Sequence, residues 1–246
     1  MEIYLNIKYQ MNKKELTNEI KKIGPWFQTI ELEKGIITTD IYPTSKRGKR
    51  LNAGDIFWPQ LRKILPYSIK GLRILELGTD AGLYCVRAAM EGASVVGIDK
   101  DKQCLKQAEF IKKYFEDKFS KKIDVRYING QIENLIDFKL GQFDILIACA
   151  VLHCMVPRDK STKVKKQRKI KLAKTICDIS DNILIREKEK YIKGKIEKEL
   201  IEDRSMNVFI DEFKRNGFKK VVETKKYLNR IVIVYSKTKN LKFNEG

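Results

Sequence analysis

The sequence predicts an α/β protein whose sheet is mostly parallel and flanked by helices. Residues 72–101 have the pattern of a strand, a tight turn, a helix and a second strand, which together make a βαβ unit. Further short apolar runs alternate with helical patterns up to residue 186. Residues 218–236 then have the pattern of a closing β-hairpin. These three observations favour one sheet with an antiparallel end.

The βαβ unit places a glycine turn and an acid at one edge of the sheet. Residues 73–77 form a short apolar run that is typical of a buried strand, and the next strand ends in Asp99. Glycines at 78 and 82 let backbone N–H groups approach a ligand closely, and the N-terminus of the following helix favours an anionic group. Asp99 can accept hydrogen bonds from both hydroxyls of a ribose. This edge therefore suits a ligand that contains a ribose.

The run from Glu76 to Gly82, followed by the strand that ends in Asp99, resembles the first two motifs of class I S-adenosylmethionine methyltransferases. That family usually has an acid, one residue and then G-x-G-x-G, and here Asp80 stands in the turn in place of the middle glycine. The resemblance implies a Rossmann-like, seven-stranded, mostly parallel sheet with a C-terminal antiparallel hairpin. It also implies that the turn, with Gly78, Asp80 and Gly82, lines the methionine end of the cofactor, that Glu76 lies near its amino group, and that Asp99 binds the ribose. The alternative is a βαβ unit that binds no ligand.

Residues 24–155 resemble, more narrowly, the tRNA wobble-uridine 5-oxyacetate methyltransferase group and its relatives. The similarity rests on four motifs: Gly24-Pro-Trp-Phe-Gln-Thr-Ile30, Gly35-Ile-Ile-Thr38, Leu65-Pro66 and Val151-Leu-His-Cys154. Members that use carboxylated S-adenosylmethionine carry a lysine shortly before the Leu-Pro pair. Gln60 stands at that place here, which favours ordinary S-adenosylmethionine as the cofactor.

Composition limits the classes of protein that the chain can represent. Its 246 residues carry a net charge of +19, from 51 Lys and Arg against 32 Asp and Glu, which favours association with polyanions such as RNA. The alternative is that the excess of Lys and Arg is a compositional bias that reflects no polyanionic partner. No apolar run can span a bilayer and no signal peptide is evident, so we expect no membrane partner. Five cysteines without C-x-x-C spacing indicate a reduced, cytoplasmic protein without a metal site.

The chain is expected to have three parts: an N-terminal elaboration over 1–69, a methyltransferase domain over 70–238 and a frayed tail over 239–246. An exposed helix is expected over 187–202, where acidic and basic residues mix. The elaboration is predicted to contain, in chain order, a helix over 12–23, a hairpin over 26–39, a basic loop over 42–52 and a helix over 56–65.

Three side chains are candidates for contacts with the ligands. His153, the chain's single histidine, follows the fourth strand of the sheet, whose end faces the transferred methyl group in the resembling family. Because its ordinary pKa is near neutrality, it is a candidate general base, with a positioning role as the alternative. Gln131 is the candidate contact to adenine, with a solvated loop as the alternative. Trp58 is a candidate for stacking on a nucleobase, with burial in the core as the alternative.

The basic segment 157–174 is a candidate track for an RNA backbone, with a solvated insertion as the alternative. Three functions stay open from the sequence: an RNA methyltransferase acting on a tRNA base, a small-molecule O- or N-methyltransferase, and a non-catalytic nucleic-acid-binding protein with the same fold. The oligomeric state is open as well. The candidate RNA contacts in the basic segment are Arg158, Lys165, Lys166, Arg168 and Lys169.

Overall fold

The N-terminal elaboration contains helices and a short hairpin. The structure is a computed structural model that describes residues 11–43, 54–154, 161–193, 206–225, 227 and 230–244. The elements of the elaboration are α1 (Lys13–Ile23), β1 (Glu31–Glu33), β2 (Ile36–Ile37), α2 (Thr38–Ile41) and α3 (Gly54–Ile64). The side chain of Asn12 caps α1 by accepting the backbone N–H of Lys14 and Glu15. The predicted basic loop lies largely outside the described residues.

A hairpin is present within the predicted range, but both of its strands are shorter than the predicted strands over 26–32 and 36–39. Thr38 begins α2 instead of extending the strand. Its hydroxyl oxygen accepts the N–H of Ile30 at 3.0 Å and donates to the carbonyl of Gln28 at 2.8 Å. The side chain of Thr38 therefore supplies the partners that a longer strand would have supplied through its backbone.

The central sheet has seven strands, which confirms the predicted fold class. The strands follow the spatial order β5-β4-β3-β6-β7-β9-β8; the first five are parallel, and β9 and β8 are antiparallel to their neighbours. Their bounds are β3 (Arg73–Leu77), β4 (Ser94–Asp99), β5 (Val125–Asn129), β6 (Ile145–Cys149), β7 (Asn182–Lys188), β8 (Lys219–Glu223) and β9 (Arg230–Ser236).

Helices cover both faces of this sheet, as buried parallel strands require. One apolar cluster joins the elaboration, α4 and α5 to one face, and a second cluster joins α6 and α8 to the other. Short 3₁₀ helices follow β5, at Ile132–Phe138, and β6, at Leu152–Cys154. The helices after the elaboration are α4 (Leu83–Met90), α5 (Lys102–Phe119), α6 (Thr162–Ile179), α7 (Glu189–Lys193) and α8 (Asn207–Arg215).

The elaboration shares its core with the sheet. Leu16, Ile20 and Trp26 are fully buried in the same cluster as residues of β3 and α4. The side-chain amide of Gln107, on α5, donates to the carbonyl of Pro25 at 2.9 Å, and the hydroxyl of Tyr114 donates to a carbonyl of β1 at 2.8 Å. The elaboration is therefore fixed against α5 by both apolar packing and hydrogen bonds.

Two predictions about the C-terminal part of the chain are wrong. The tail is not frayed over its described residues: the backbone N–H of Asn244 donates to Ile64 and its side chain donates to Leu65, at the end of α3. The expected exposed helix over 187–202 does not start at Glu187, which is a buried residue of β7. The chain becomes helical only at α7, and residues 194–205 lie outside the described part. Within the described ranges, no helix combines the length and hydrophobicity of a membrane span.

Candidate active site

A cleft of about 860 Å³ lies at the carboxyl ends of the parallel strands. The order in which strands are added to the sheet reverses here, because β4 lies on one side of β3 and β6 on the other. Ligands of open α/β sheets bind at such a switch point. Pro25, Phe27 and Gln28 of the elaboration, with Phe57 of α3, also line the cleft. The site is thus built from the sheet edge and from the segment that precedes it.

The predicted glycine turn connects β3 to α4, and its two glycines are sterically required. Gly78 and Gly82 have φ angles of 70° and 74°, in the left-handed region that glycine adopts without strain. A Cβ atom at Gly78 would lie 2.6 Å from a methyl group of Val151. One at Gly82 would lie 2.4 Å from the hydroxyl of Tyr127 and 2.7 Å from the Cβ of Ala108. Gly78 therefore leaves the backbone of the turn open to the cleft, whereas Gly82 does not line the cleft and instead lets the turn pack against α5 and β5.

Glu76, the acid that precedes the turn, is a buried carboxyl on the cleft wall. The hydroxyl of Thr79 donates to its Oε2 at 3.1 Å and the thiol of Cys85 at 2.9 Å. Burial raises the pKa of Glu76 to about 8, despite these two hydrogen bonds. A positively charged group nearby would favour the ionised form of this carboxyl. Glu76 can therefore bind a cation such as an ammonium group.

Asp80 and Asp99 meet at the opposite side of the turn. The backbone N–H of Asp80 donates to Oδ2 of Asp99 at 2.9 Å, and that of Asp101 donates to Oδ1 at 3.0 Å. Burial, followed by repulsion from the Asp99 charge, raises the pKa of Asp80 to about 7. Oδ1 of Asp80 is buried and has no hydrogen-bond partner among the described residues. Such an oxygen can accept a hydrogen bond from a ligand hydroxyl or amine.

Asp80 should reduce the stability of the fold, since it has a φ angle of 51° and a buried carboxyl. We expect Asp80→Gly to raise the melting temperature by roughly 2–4 °C, which corresponds to about 1 kcal/mol of relieved backbone strain. We expect Asp80→Asn to be stabilising only where the wild-type carboxyl ionises. Because its folded-state pKa lies above its ordinary value, this gain is absent below about pH 4. It grows as the pH rises and levels off above about pH 7.

Thermal denaturation of the three proteins at pH 4 and pH 8 separates the two contributions. Relief of backbone strain contributes to the gain in stability of Asp80→Gly but not to that of Asp80→Asn, and this contribution does not depend on pH. An equal gain for Asp80→Asn at both pH values would contradict the burial of an ionised carboxyl at this position.

Two glutamines contribute amide groups to the cleft. Gln131 follows β5 and lines the cleft with an exposed side chain, so the structure places it where the sequence predicted. Gln28, which the sequence analysis did not single out, is buried, and its Oε1 has no hydrogen-bond partner in the described part of the chain. Both amides are available to a heterocyclic ring with donors and acceptors at its edge.

His153 lines the other half of the cleft, next to a carboxylate that the sequence analysis missed. Its Nδ1 lies 2.6 Å from Oε2 of Glu187, and its ring stacks on Tyr191 at 4.8 Å between centroids. Burial lowers the pKa of His153, but hydrogen bonds to Cys154 and Glu187 and the Glu187 charge outweigh it and raise the pKa to about 9. At neutral pH, His153 and Glu187 therefore form a buried ion pair.

Arg186 and Arg230 were also missed, although both line this half of the cleft. Arg186 is the β7 residue next to Glu187, and Arg230 begins β9. The available signal was the sequence Ile185-Arg-Glu187, in which charged residues follow the apolar run of a central strand. Charged groups at the end of such a strand are rarely buried unless they have a partner or a function.

Several candidate contacts to RNA do not occupy the predicted positions. Trp58 is buried and stacks on Tyr84 at 6.2 Å between centroids, so its ring is not available to a nucleobase. Lys165 and Lys169 are 8% and 3% exposed on the packed face of α6, which argues against contacts with a phosphate backbone. Lys166 and Arg168 are exposed on the same helix, and Arg158 lies outside the described residues. Over its described residues the segment is thus a helix with a packed face that includes Lys165 and Lys169 and an exposed face that includes Lys166 and Arg168.

Residues 68–241 match the family described as a methyltransferase domain. The chain belongs to this methyltransferase family. The methyltransferase uses S-adenosylmethionine, in agreement with the expected cofactor. No curated protein matches the chain at a significant level. The comparisons do not confirm the narrower resemblance to the tRNA wobble-uridine group.

Solved structures share the fold of the methyltransferase. The N-terminal domain of EvdMO1 with S-adenosylhomocysteine bound is 20% identical, with a TM-score of 0.61, over 92% of this chain and 98% of that chain. WbdD is 18% identical, with a TM-score of 0.58, over 92% and 48%. Magnesium protoporphyrin IX methyltransferase from Synechocystis PCC 6803 with bound S-adenosylmethionine is 13% identical, with a TM-score of 0.50, over 69% and 72%.

Proposed function

We propose that the methyltransferase transfers the methyl group of S-adenosylmethionine to an oxygen or nitrogen atom of a small molecule. The observation that carries this proposal is the cleft itself. Its volume of about 860 Å³ lies within the range of roughly 300–1,000 Å³ that is common for small-molecule sites. The elaboration contributes Phe27 and Gln28 to its wall, so the site is a walled cleft and not an open groove.

The cofactor occupies the half of the cleft that contains the glycine turn. The backbone at Gly78 admits its methionine part, and Asp99 accepts hydrogen bonds from its ribose hydroxyls. Glu76 binds the ammonium group, whose charge favours the ionised carboxylate. The buried oxygens of Asp80 and Gln28 that have no partner fit this assignment, because the cofactor carries hydroxyl and amine donors.

The acceptor occupies the half that contains His153. Methyl transfer from a sulfonium depends mainly on in-line positioning of the acceptor, and the cofactor supplies an already activated methyl group. His153 removes the proton that an O–H or N–H acceptor loses. Because Glu187 engages Nδ1, this role falls to Nε2, and the carboxylate orients the ring and stabilises the imidazolium that results.

A tRNA base is the second candidate acceptor, and the net charge of +19 favours it. Lys166 and Arg168 are exposed and available to a phosphate backbone. However, the burial of Lys165, Lys169 and Trp58 removes three of the predicted contacts. The small-molecule acceptor is therefore the better supported of the two candidates.

Transfer of a labelled methyl group tests the proposal directly. The protein is incubated with S-adenosylmethionine labelled in its methyl group, together with either total tRNA or the small-molecule fraction of a cell extract. We expect label in products that pass a filter with a cut-off of a few kilodaltons, and we expect much less label from Asp99→Ala at a limiting concentration of S-adenosylmethionine. Label retained in tRNA would overturn the small-molecule assignment in favour of RNA.

A further inference from the structure

Arg186 is a buried cation at the edge of the cleft. Arg186 is 4% exposed, and its guanidinium carbon lies 3.4 Å from the centroid of the Phe57 ring. Burial lowers the pKa of Arg186, which shows how little solvent its charge retains. Its Nη2 has no hydrogen-bond partner among the described residues. Stacking on Phe57 fixes the plane of the group but leaves this donor unused.

Arg230 places a second guanidinium on the same wall. It pairs in register with Lys188 on β7, two residues from Arg186. Its Nη1 lies 3.6 Å from Oε1 of Glu187, which is too long for a hydrogen bond, and this nitrogen has no hydrogen-bond partner in the described part of the chain. Both Arg186 and Arg230 thus present buried N–H donors to the cleft.

The carboxylate between these arginines is already engaged. Glu187 is the acid closest to Arg230, yet its Oε2 pairs with His153 and its Oε1 accepts the backbone N–H of Lys188 at 2.8 Å. One carboxylate therefore serves both Arg230 and His153, and among the described residues no ion pair joins Arg186 to an acid. A buried cation without a hydrogen-bonded partner is strongly unfavourable, so this excess of positive charge indicates that a bound ligand completes the site.

The ribose end of the cofactor site is a separate part of the sheet edge, although Glu76, on β3, is only two strands from Arg186. Asp99 ends β4, whereas Arg186 lies on β7, three strands away, and Arg230 on β9, four strands away. At about 4.8 Å between neighbouring strands, these separations are roughly 14 and 19 Å. The two parts also differ in chemistry, because the unpaired buried atom is an acceptor at Asp80 but a donor at each of the two arginines.

We propose that Arg186 and Arg230 bind an anionic group of the methyl acceptor, a carboxylate or a phosphate. The planar guanidinium of Arg186 matches either group through paired N–H donors, and Arg230 supplies a second charge. The inference rests on the proposed function, because it assigns this half of the cleft to the acceptor. It identifies the acceptor's class as a small molecule with at least one negative charge.

Inorganic phosphate, acetate and S-adenosylhomocysteine are the probes. Calorimetric titrations of phosphate and of acetate into the complex with S-adenosylhomocysteine are made in 0.1 M NaCl, which screens surface charges. Arg186→Met keeps most of the packing on Phe57 but removes the charge, and Arg186→Lys keeps the charge but not the paired donors. Arg87→Met is the matched control, since Arg87 also stacks on a phenyl ring, that of Phe115, at 5.1 Å.

We expect Arg186→Met to weaken binding of at least one of the two anions by about tenfold or more, as for loss of a charge-assisted hydrogen bond. Arg186→Lys should have an intermediate affinity, and Arg87→Met should equal the wild type. All variants should bind S-adenosylhomocysteine as the wild type does, which also establishes that they fold. Equal anion binding by Arg186→Met and the wild type, or no anion binding by the wild type, would overturn the proposal.

The cofactor has a carboxylate of its own, which is a second possible partner for Arg186. A further comparison distinguishes this carboxylate from the anionic group of the acceptor. Methylthioadenosine lacks the amino-acid part of S-adenosylhomocysteine. If Arg186→Met weakened binding of S-adenosylhomocysteine but not of methylthioadenosine, Arg186 would bind the cofactor and the acceptor assignment would be wrong. These measurements need no acceptor, so their failure is distinct from a failure of the proposed function, which the labelling experiment detects on its own.

Discussion

His153→Ala is expected to lower the turnover of the methyltransferase by about 10²–10⁴-fold, the range typical of a lost general base. The affinity for S-adenosylmethionine should not change, because the cofactor lies against the glycine turn and Asp99. Steady-state kinetics with the labelled acceptor, together with calorimetry of the cofactor, measure the two quantities separately. A loss of less than about tenfold would mean that His153 only positions the acceptor.

The pH dependence of the same reaction provides a second check. A base with a pKa of about 9 is mostly protonated at neutral pH, so log kcat/KM should rise with pH and bend near pH 9. NMR titration can follow the ring directly, since the chain has a single histidine. Glu187→Gln should move the pKa of His153 down towards the ordinary value of about 6.5. An unchanged pKa in that variant would contradict the ion pair.

The same ion pair links pH to stability. The folded-state pKa of His153 lies above its ordinary value, so the pair stabilises the fold fully below about pH 6.5. This contribution is lost as the pH rises through about 9. In Glu187→Gln the corresponding pH dependence of the melting temperature should be absent.

Asp99→Ala is expected to weaken S-adenosylmethionine binding by about 10- to 150-fold, equivalent to one charge-assisted hydrogen bond of roughly 1.5–3 kcal/mol. The carboxylate also accepts the backbone N–H groups of Asp80 and Asp101, which the alanine variant leaves without an acceptor. Urea denaturation therefore accompanies the calorimetry, to separate a loss of binding from a loss of fold.

Two further variants make this experiment specific. Asp99→Asn keeps an acceptor for one backbone N–H but loses the charge, so it should fold better than Asp99→Ala and still bind the cofactor weakly. Asp117→Ala removes an exposed carboxylate on α5, away from the cleft, and should bind as the wild type does. If Asp99→Ala bound the cofactor with unchanged affinity, Asp99 would not be part of the site.

The features that the sequence predicted correctly are those with a local cause. The glycine turn is one of them, since Gly78 and Gly82 adopt positive φ angles that glycine allows without strain. The parallel strands and the closing hairpin were predicted from short apolar runs and their spacing. The features that the sequence did not predict correctly depend on tertiary packing. The expected frayed tail is held by Asn244 against the end of α3, a contact between residues 179 positions apart.

Most of the acceptor half of the cleft could not be predicted for the same reason. His153 and Glu187 are 34 residues apart, and the run REKEKY, which spans the end of β7 and the start of α7, resembles an exposed helix when its partners are unknown. For Lys165 and Lys169 a local signal was available: with Leu172 and Ile176 they recur at helical spacing, which places them on the packed face of α6. Net positive charge masked that pattern.

The region that matches the family and the region that shares one apolar core do not begin at the same residue. The family is recognised from residue 68 onward, yet Trp26 and Phe57 belong to the same core as the strands of the sheet. A fragment cut at residue 68 would expose one face of the molecule and remove the aromatic ring that holds the Arg186 guanidinium. Substitutions between residues 25 and 57 can therefore alter which acceptor molecules the enzyme binds, although these residues lie outside the region that matches the family.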